Sequence, residues 1–156
     1  MGRLAHPAKY VVVAAQGFFG GHSLFSGLNY FFQWLPSPQV THPLAGPFID
    51  SMTAMGLFDV IKGVEALVGA LLLLNILTPV ALLMELPISI SIFYTSVIVV
   101  HSERSLFTGT RELVLNLFLI AAYFGFYKGL LKLRPEMRPL WRWGAREPMT
   151  GSPGQG

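Results

Sequence analysis

Runs of about twenty mostly apolar residues recur along this chain and constrain its folding more than anything else in it. Such a run spans a lipid hydrocarbon layer when helical. Lipid also leaves the backbone few alternatives, because every N–H and C=O must be paired inside the segment. The composition agrees: 53% of residues are hydrophobic and 12% charged, about half the charge density of a soluble domain. The expected fold is therefore an all-α membrane protein, a bundle of four transmembrane helices.

The four expected helices cover about 10–34, 52–74, 78–100 and 112–131, within a transmembrane domain of residues 1–132. The first is too long for a signal-peptide core, and Tyr30 and Trp34 stand where interfacial aromatics belong. A loop over 35–51 follows, in which Pro36, Pro38, Pro43 and Pro47 argue against a continuous helix. Asn75 and Pro79 bracket a very short turn, so the second and third helices should be antiparallel neighbours. Pro87 should bend the third helix. A polar stretch from His101 to Arg111 precedes the fourth, and a basic tail rich in Pro and Gly occupies 133–156.

Charge sets the expected orientation. The side holding both termini carries Arg3, Lys9, Lys128, Lys132, Arg134, Arg138, Arg142 and Arg146, against Arg104 and Arg111 opposite. By the positive-inside rule both termini face the cytoplasm of a multi-pass inner-membrane protein. The net charge of +3 thus meets anionic lipid, not nucleic acid, since no nucleic-acid motif accompanies it. The absence of cysteine excludes dithiol redox chemistry, thiolate metal sites and cysteine nucleophiles.

Ionisable residues inside apolar runs mark sites by default. Asp59, Lys62 and Glu65 are spaced by three and share one helical face, with Glu65 near mid-helix. Two readings stand side by side: an ion pair that fixes helix register, and a proton-relay or ligand-anchoring site. His22 is expected at the depth of Lys62. Glu85 is expected about one turn from Glu65, either sharing its polar centre or snorkelling to the cytoplasmic interface. No Glu-x-x-His pair occurs, so no metal is expected. Asn29 and Gln33, with Tyr94 and Asn116, are candidates for a polar outer vestibule. No recognisable catalytic motif is present, so the chain leans away from being an enzyme on its own.

The run FSGLNYFFQWLPSP at 25–38 resembles the end of the first helix in the DoxX family of small bacterial membrane proteins. The stretch from Met52 to Tyr94 resembles that family's second and third helices, through Gly56, Lys62, Glu65, Gly69, Leu72, Leu73, Pro79, Leu82 and Pro87. Relatives often carry His where Gln33 and Tyr94 stand, which puts in doubt any chemistry that used those imidazoles. Glu85 has no counterpart in that pattern. The resemblance implies a bacterial inner-membrane protein, non-catalytic alone, serving as accessory subunit of a membrane redox or stress-related complex with protein partners. Quinone or lipid is the implied cofactor class. Three alternatives stay open: a quinone-linked oxidoreductase subunit, a small transporter or hydrophobic-ligand carrier, and a structural subunit of a larger assembly.

Overall fold

The computed structural model describes residues 6–36 and 40–128. The expected basic tail, the last residues of the expected fourth helix and Pro38 lie outside them. The described residues are all-helical. Helix α1 runs His6–Phe32, α2 Ala45–Ala54, α3 Leu57–Leu73, α4 Thr78–Phe93, α5 Glu103–Ala122 and α6 Phe124–Tyr127; a π-helical segment, Tyr94–Val100, continues α4. Among the described residues three stretches are long and apolar enough to cross a membrane: Pro7–Phe32, Thr78–Val100 and Glu103–Ala122.

Local chemistry explains where the helices end. Gln33 adopts φ 51°, in the left-handed region, which stops α1 just past Phe32. The Asn29 side chain then clamps the reversal, donating to the Leu35 carbonyl at 3.1 Å and accepting from the Leu35 amide at 2.7 Å. The loop expected over 35–51 contains helix α2. Pro47 is tolerated because it sits in the first turn, where its missing N–H costs no helical bond. The His42 ring caps that turn, its Nδ1 accepting from the amides of Leu44 at 3.3 Å and Ala45 at 3.4 Å.

The expected continuous helix over 52–74 is broken. Gly56 has φ +72°, in the left-handed region, so α2 ends before it and α3 starts after it. At 17 residues α3 is shorter than the other three long helices' apolar stretches. The turn into α4 uses left-handed Asn75 (φ 55°) and Leu77 (φ 49°), and Pro79 lies in the first turn of α4, where proline is at home. Pro87 lies inside α4, and the loosened helix passes into its π-helical continuation seven residues later at Tyr94.

The polar stretch expected at 101–111 is also helical. Ser102 caps α5 by accepting from the Ser105 amide, and Glu103 occupies the favourable acidic position in the first turn. Helix α5 therefore begins nine residues before the expected start at 112 and ends at Ala122, not at 131. This shift carries Arg111, Glu112 and Asn116 from the helix end to its middle.

Helix α1 packs along α3, α4 along α5, α3 on α4 and α1 on α5. The apolar core is Phe19 from α1, Val68 and Leu72 from α3, Ala81 and Leu82 from α4 and Leu119 from α5. The buried stripes keep helical spacing: 16, 19, 20, 23 and 27 on α1, 65, 68, 69 and 72 on α3, 78, 81, 82, 85 and 89 on α4, and 109, 112, 116 and 119 on α5. Outside the core the surface is greasy: Val11, Phe18, Val60, Leu67, Leu83, Ile90, Val114 and Leu117 are all exposed.

Candidate functional site

Three of the four buried stripes contain a carboxyl at mid-helix: Glu65 on α3, Glu85 on α4 and Glu112 on α5, respectively 4%, 1% and 4% exposed. Two of them are paired. The Lys62 ammonium donates to Glu65 Oε2 at 2.7 Å and to Ser26 Oγ at 3.0 Å, and Ser26 Oγ donates to Glu65 Oε2 at 2.9 Å. The pair thus bridges α1 and α3. It forms where Gly27 brings the helices together, since a Cβ on Gly27 would sit 2.5 Å from the Lys62 carbonyl oxygen. The ammonium also faces the Phe58 ring at 5.4 Å.

A second cluster joins α1 to α5. Arg111 Nη2 lies 2.9 Å from His22 Nε2 and 3.6 Å from Glu112 Oε2. Guanidinium only donates, so Nε2 must accept and the ring proton belongs on Nδ1. That nitrogen lies 3.6 Å from Glu112 Oε2, so the N–H is directed toward the carboxylate without closing a hydrogen bond. The guanidinium is also flanked by the rings of Phe18 at 5.5 Å and Phe107 at 5.9 Å.

Glu85 differs. No described residue gives it a hydrogen bond or ion pair, and its Oε2 is a buried orphan. It does feel the charges of Glu65, Glu112 and Lys62. Ser23 Oγ, Ser89 Oγ and Asn116 Oδ1 are orphaned as well, while Asn116 Nδ2 donates to the Leu82 carbonyl at 3.3 Å.

His22 pairs with Arg111 while remaining within the field of Lys62 and Glu65, and Ser26 is the α1 group that bonds the ion pair. Glu85 does not snorkel; it is among the most deeply buried side chains described. Asp59 is exposed and accepts from the Tyr30 hydroxyl at 2.5 Å, apart from the Lys62–Glu65 pair. The outer vestibule does not assemble. Asn29 holds the end of α1, Gln33 and Tyr94 are exposed, and Asn116 is fully buried on α5. Sequence reasoning missed Arg111, Glu112, Ser26 and Ser89. The signal for Arg111 and Glu112 was the Ser102–Glu103 helix start, which hydropathy alone reads as loop. Among the described residues no group of three or more His, Cys, Asp or Glu is arranged to hold a metal ion.

At the opposite end of the helices, Gln16 joins α1 to α3 and to the chain beyond α5. It donates to the Leu72 carbonyl at 2.7 Å and to Asn75 Oδ1 at 3.2 Å, and accepts from the Tyr123 hydroxyl at 2.6 Å. A groove of about 400 Å³ opens beside it, between Val12, Val13, Leu72, Leu73 and Tyr123, with Lys9 at its edge.

Compared with protein-family models, with curated proteins and with solved structures, the chain matches none.

Proposed function

We propose that this chain is a DoxX-like multi-pass protein of the bacterial inner membrane, with α1, α3, α4 and α5 crossing the bilayer as a four-helix bundle and both termini cytoplasmic. It serves as an accessory subunit of a membrane redox or stress-related complex. One observation carries the reading: burial is far less apolar, and the surface far more apolar, than in a protein in water. The described interior holds eight polar or charged side chains, as many as apolar ones, while Phe, Leu, Ile and Val crowd the outside. In water the exposed apolar surface would be costly; in lipid it is the natural exterior. Helix α3 is short, but its 17 residues span about 25 Å, the lower limit for a crossing. A bundle whose centre is charged is suited to a complex that moves protons or electrons across the same layer.

The test is isolation from native membrane in a mild detergent. The expected result is a stable complex in which other membrane subunits co-purify with the chain. A clean, partner-free species that retains its fold would overturn the accessory-subunit reading.

The groove beside Gln16 favours a second reading, a site for quinone or another hydrophobic ligand. Its volume falls in the range of small-molecule pockets, and its walls are mostly apolar with Lys9, Gln16, Asn75 and Tyr123 as the polar groups. This reading expects quinone in lipid extracts of the purified protein, reduced several-fold in Gln16→Leu. Extracts without quinone would sink it.

A further inference from the structure

We propose that Glu85 is a proton-exchange site in the interior of the helical bundle, loaded from the His22–Arg111–Glu112 cluster. The inference does not depend on the chain having a partner subunit. It begins with charge matching. Lys62 is bonded to Glu65 at 2.7 Å, and Arg111 stands 3.6 Å from Glu112, so each interior cation has its carboxylate. Glu85 is left over. It is 1% exposed and lies in the field of two other carboxylates, with Lys62 the one cation whose charge reaches it. An isolated carboxylate in so apolar a place is unfavourable, whereas a neutral carboxyl is not.

Buried oxygens without a hydrogen-bond partner lie on the helices around Glu85. Asn116 spends its amide N–H on the carbonyl of Leu82, three residues before Glu85 on α4, which leaves the Asn116 Oδ1 acceptor bare. Ser89 Oγ is also bare and stands one turn beyond Glu85 on the same face of α4, and Ser23 Oγ is bare on α1. These four side chains are each at most 1% exposed. Buried oxygens are ordinarily satisfied, so a cluster of orphans needs an explanation. Of these orphans Asn116 Oδ1 can only accept, and a proton on Glu85 adds a donor on the helix that Asn116 already bonds.

The route of loading follows from the second cluster. Glu112 is one turn from Asn116 on α5, and the Nδ1–H of His22 faces its Oε2 at 3.6 Å. The His22 side chain is 37% exposed, so this side of the polar layer is the one least covered by the other helices. The charged groups whose fields reach Glu85 are Lys62 and Glu65 on α3 and Glu112 on α5, and His22 on α1 and Arg111 on α5 stand beside Glu112. In the loading step an external proton entering on the His22 side first converts the Glu112 carboxylate to the neutral acid. That O–H bond then breaks as an O–H bond on Glu85 forms, which returns Glu112 to the carboxylate that faces Arg111, and nothing is oxidised or reduced.

The full chain in detergent or nanodiscs is treated with dicyclohexylcarbodiimide, which attacks neutral carboxyls in apolar surroundings, and the adduct is mapped by mass spectrometry. Labelling of Glu85 is expected, declining as pH rises and absent from Glu85→Gln. Infrared spectroscopy should show a carboxylic C=O band that shifts in D2O and is lost in the same variant. Glu85 unlabelled at every pH, with no such band, would make it a permanent carboxylate and end the proposal. A band unmoved after long exposure to D2O would mean a locked, structural proton and end it equally. Labelling and D2O exchange of the unaltered chain decide the matter even if the variant does not fold.

Discussion

At the residue scale the Lys62–Glu65–Ser26 triangle is the best-satisfied charged group in the interior. Every polar atom it commits is met by another member, at 2.7, 2.9 and 3.0 Å. Such a pair adds little net stability over an apolar replacement, but removing one partner strands the other. Glu65→Gln should therefore destabilise the fold by about 3 kcal/mol. Lys62→Met combined with Glu65→Leu should recover most of that loss. Thermal unfolding in detergent measures both. A double variant that regains stability but loses its co-purifying subunits would show that the pair serves the partner; one that regains both is a register latch. The Tyr30–Asp59 bond offers the contrast. It lies at the exposed end of α1, so Tyr30→Phe should leave the unfolding midpoint unchanged.

At the element scale the association of α1 with α3 depends on missing side chains. A Cβ on Gly69 would lie 2.2 Å from the Leu24 amide nitrogen and 2.6 Å from the Gly20 carbonyl oxygen, both backbone atoms that cannot turn aside. Gly69→Ala should push the two helices apart and destabilise by about 1–3 kcal/mol or more. Gly63, on the same helix, has nothing within 4 Å of its Cβ position. Gly63→Ala should instead stabilise slightly, by about 0.5–1 kcal/mol, through helix propensity. If both substitutions behave alike, close packing is not what joins these helices.

The same elements show what was legible in the sequence and why. Helix α1 and the stretch Thr78–Val100 are read from long apolar runs, and that signal is local. The break at Gly56 was not read, because glycine in an apolar run is ambiguous until its φ is known. Helix α5 was displaced because its buried stripe begins Gly109, Glu112, Asn116. A stripe of 3–4 spacing built from a glycine, an acid and an amide has helical period but no hydropathy. The Lys62–Glu65 pair was legible because both partners stand on one helix three residues apart. The Arg111–His22 contact spans 89 residues and depends on the true start of α5, which spacing alone does not reveal.

At the scale of the whole molecule half of the buried side chains described are polar and the exterior is rich in apolar ones, which has a directional consequence if the chain crosses a bilayer. The reversal between α1 and α2 and the turn His101–Ser102 before α5 lie at one end of the helices, while the Asn75–Leu77 turn and Tyr123 lie at the other. Helix α5 starts earlier than the sequence suggested, so Arg111 leaves the outer loops and joins the interior. On the proposed orientation that lowers the basic count of the outer side, in keeping with the positive-inside rule. The natural absence of cysteine makes the arrangement directly measurable, since each introduced thiol reports alone. In intact spheroplasts a membrane-impermeant maleimide should label Thr41→Cys and Ser102→Cys, at the outer end. It should leave Ile76→Cys and Lys128→Cys untouched until the membrane is permeabilised. Labelling of Ile76→Cys before permeabilisation, with Thr41→Cys protected, would invert the orientation. Thr41→Cys and Ser102→Cys on opposite sides would break the topology itself, because α3 would then not cross, and the bundle would have to be three spans with α3 lying within their packing.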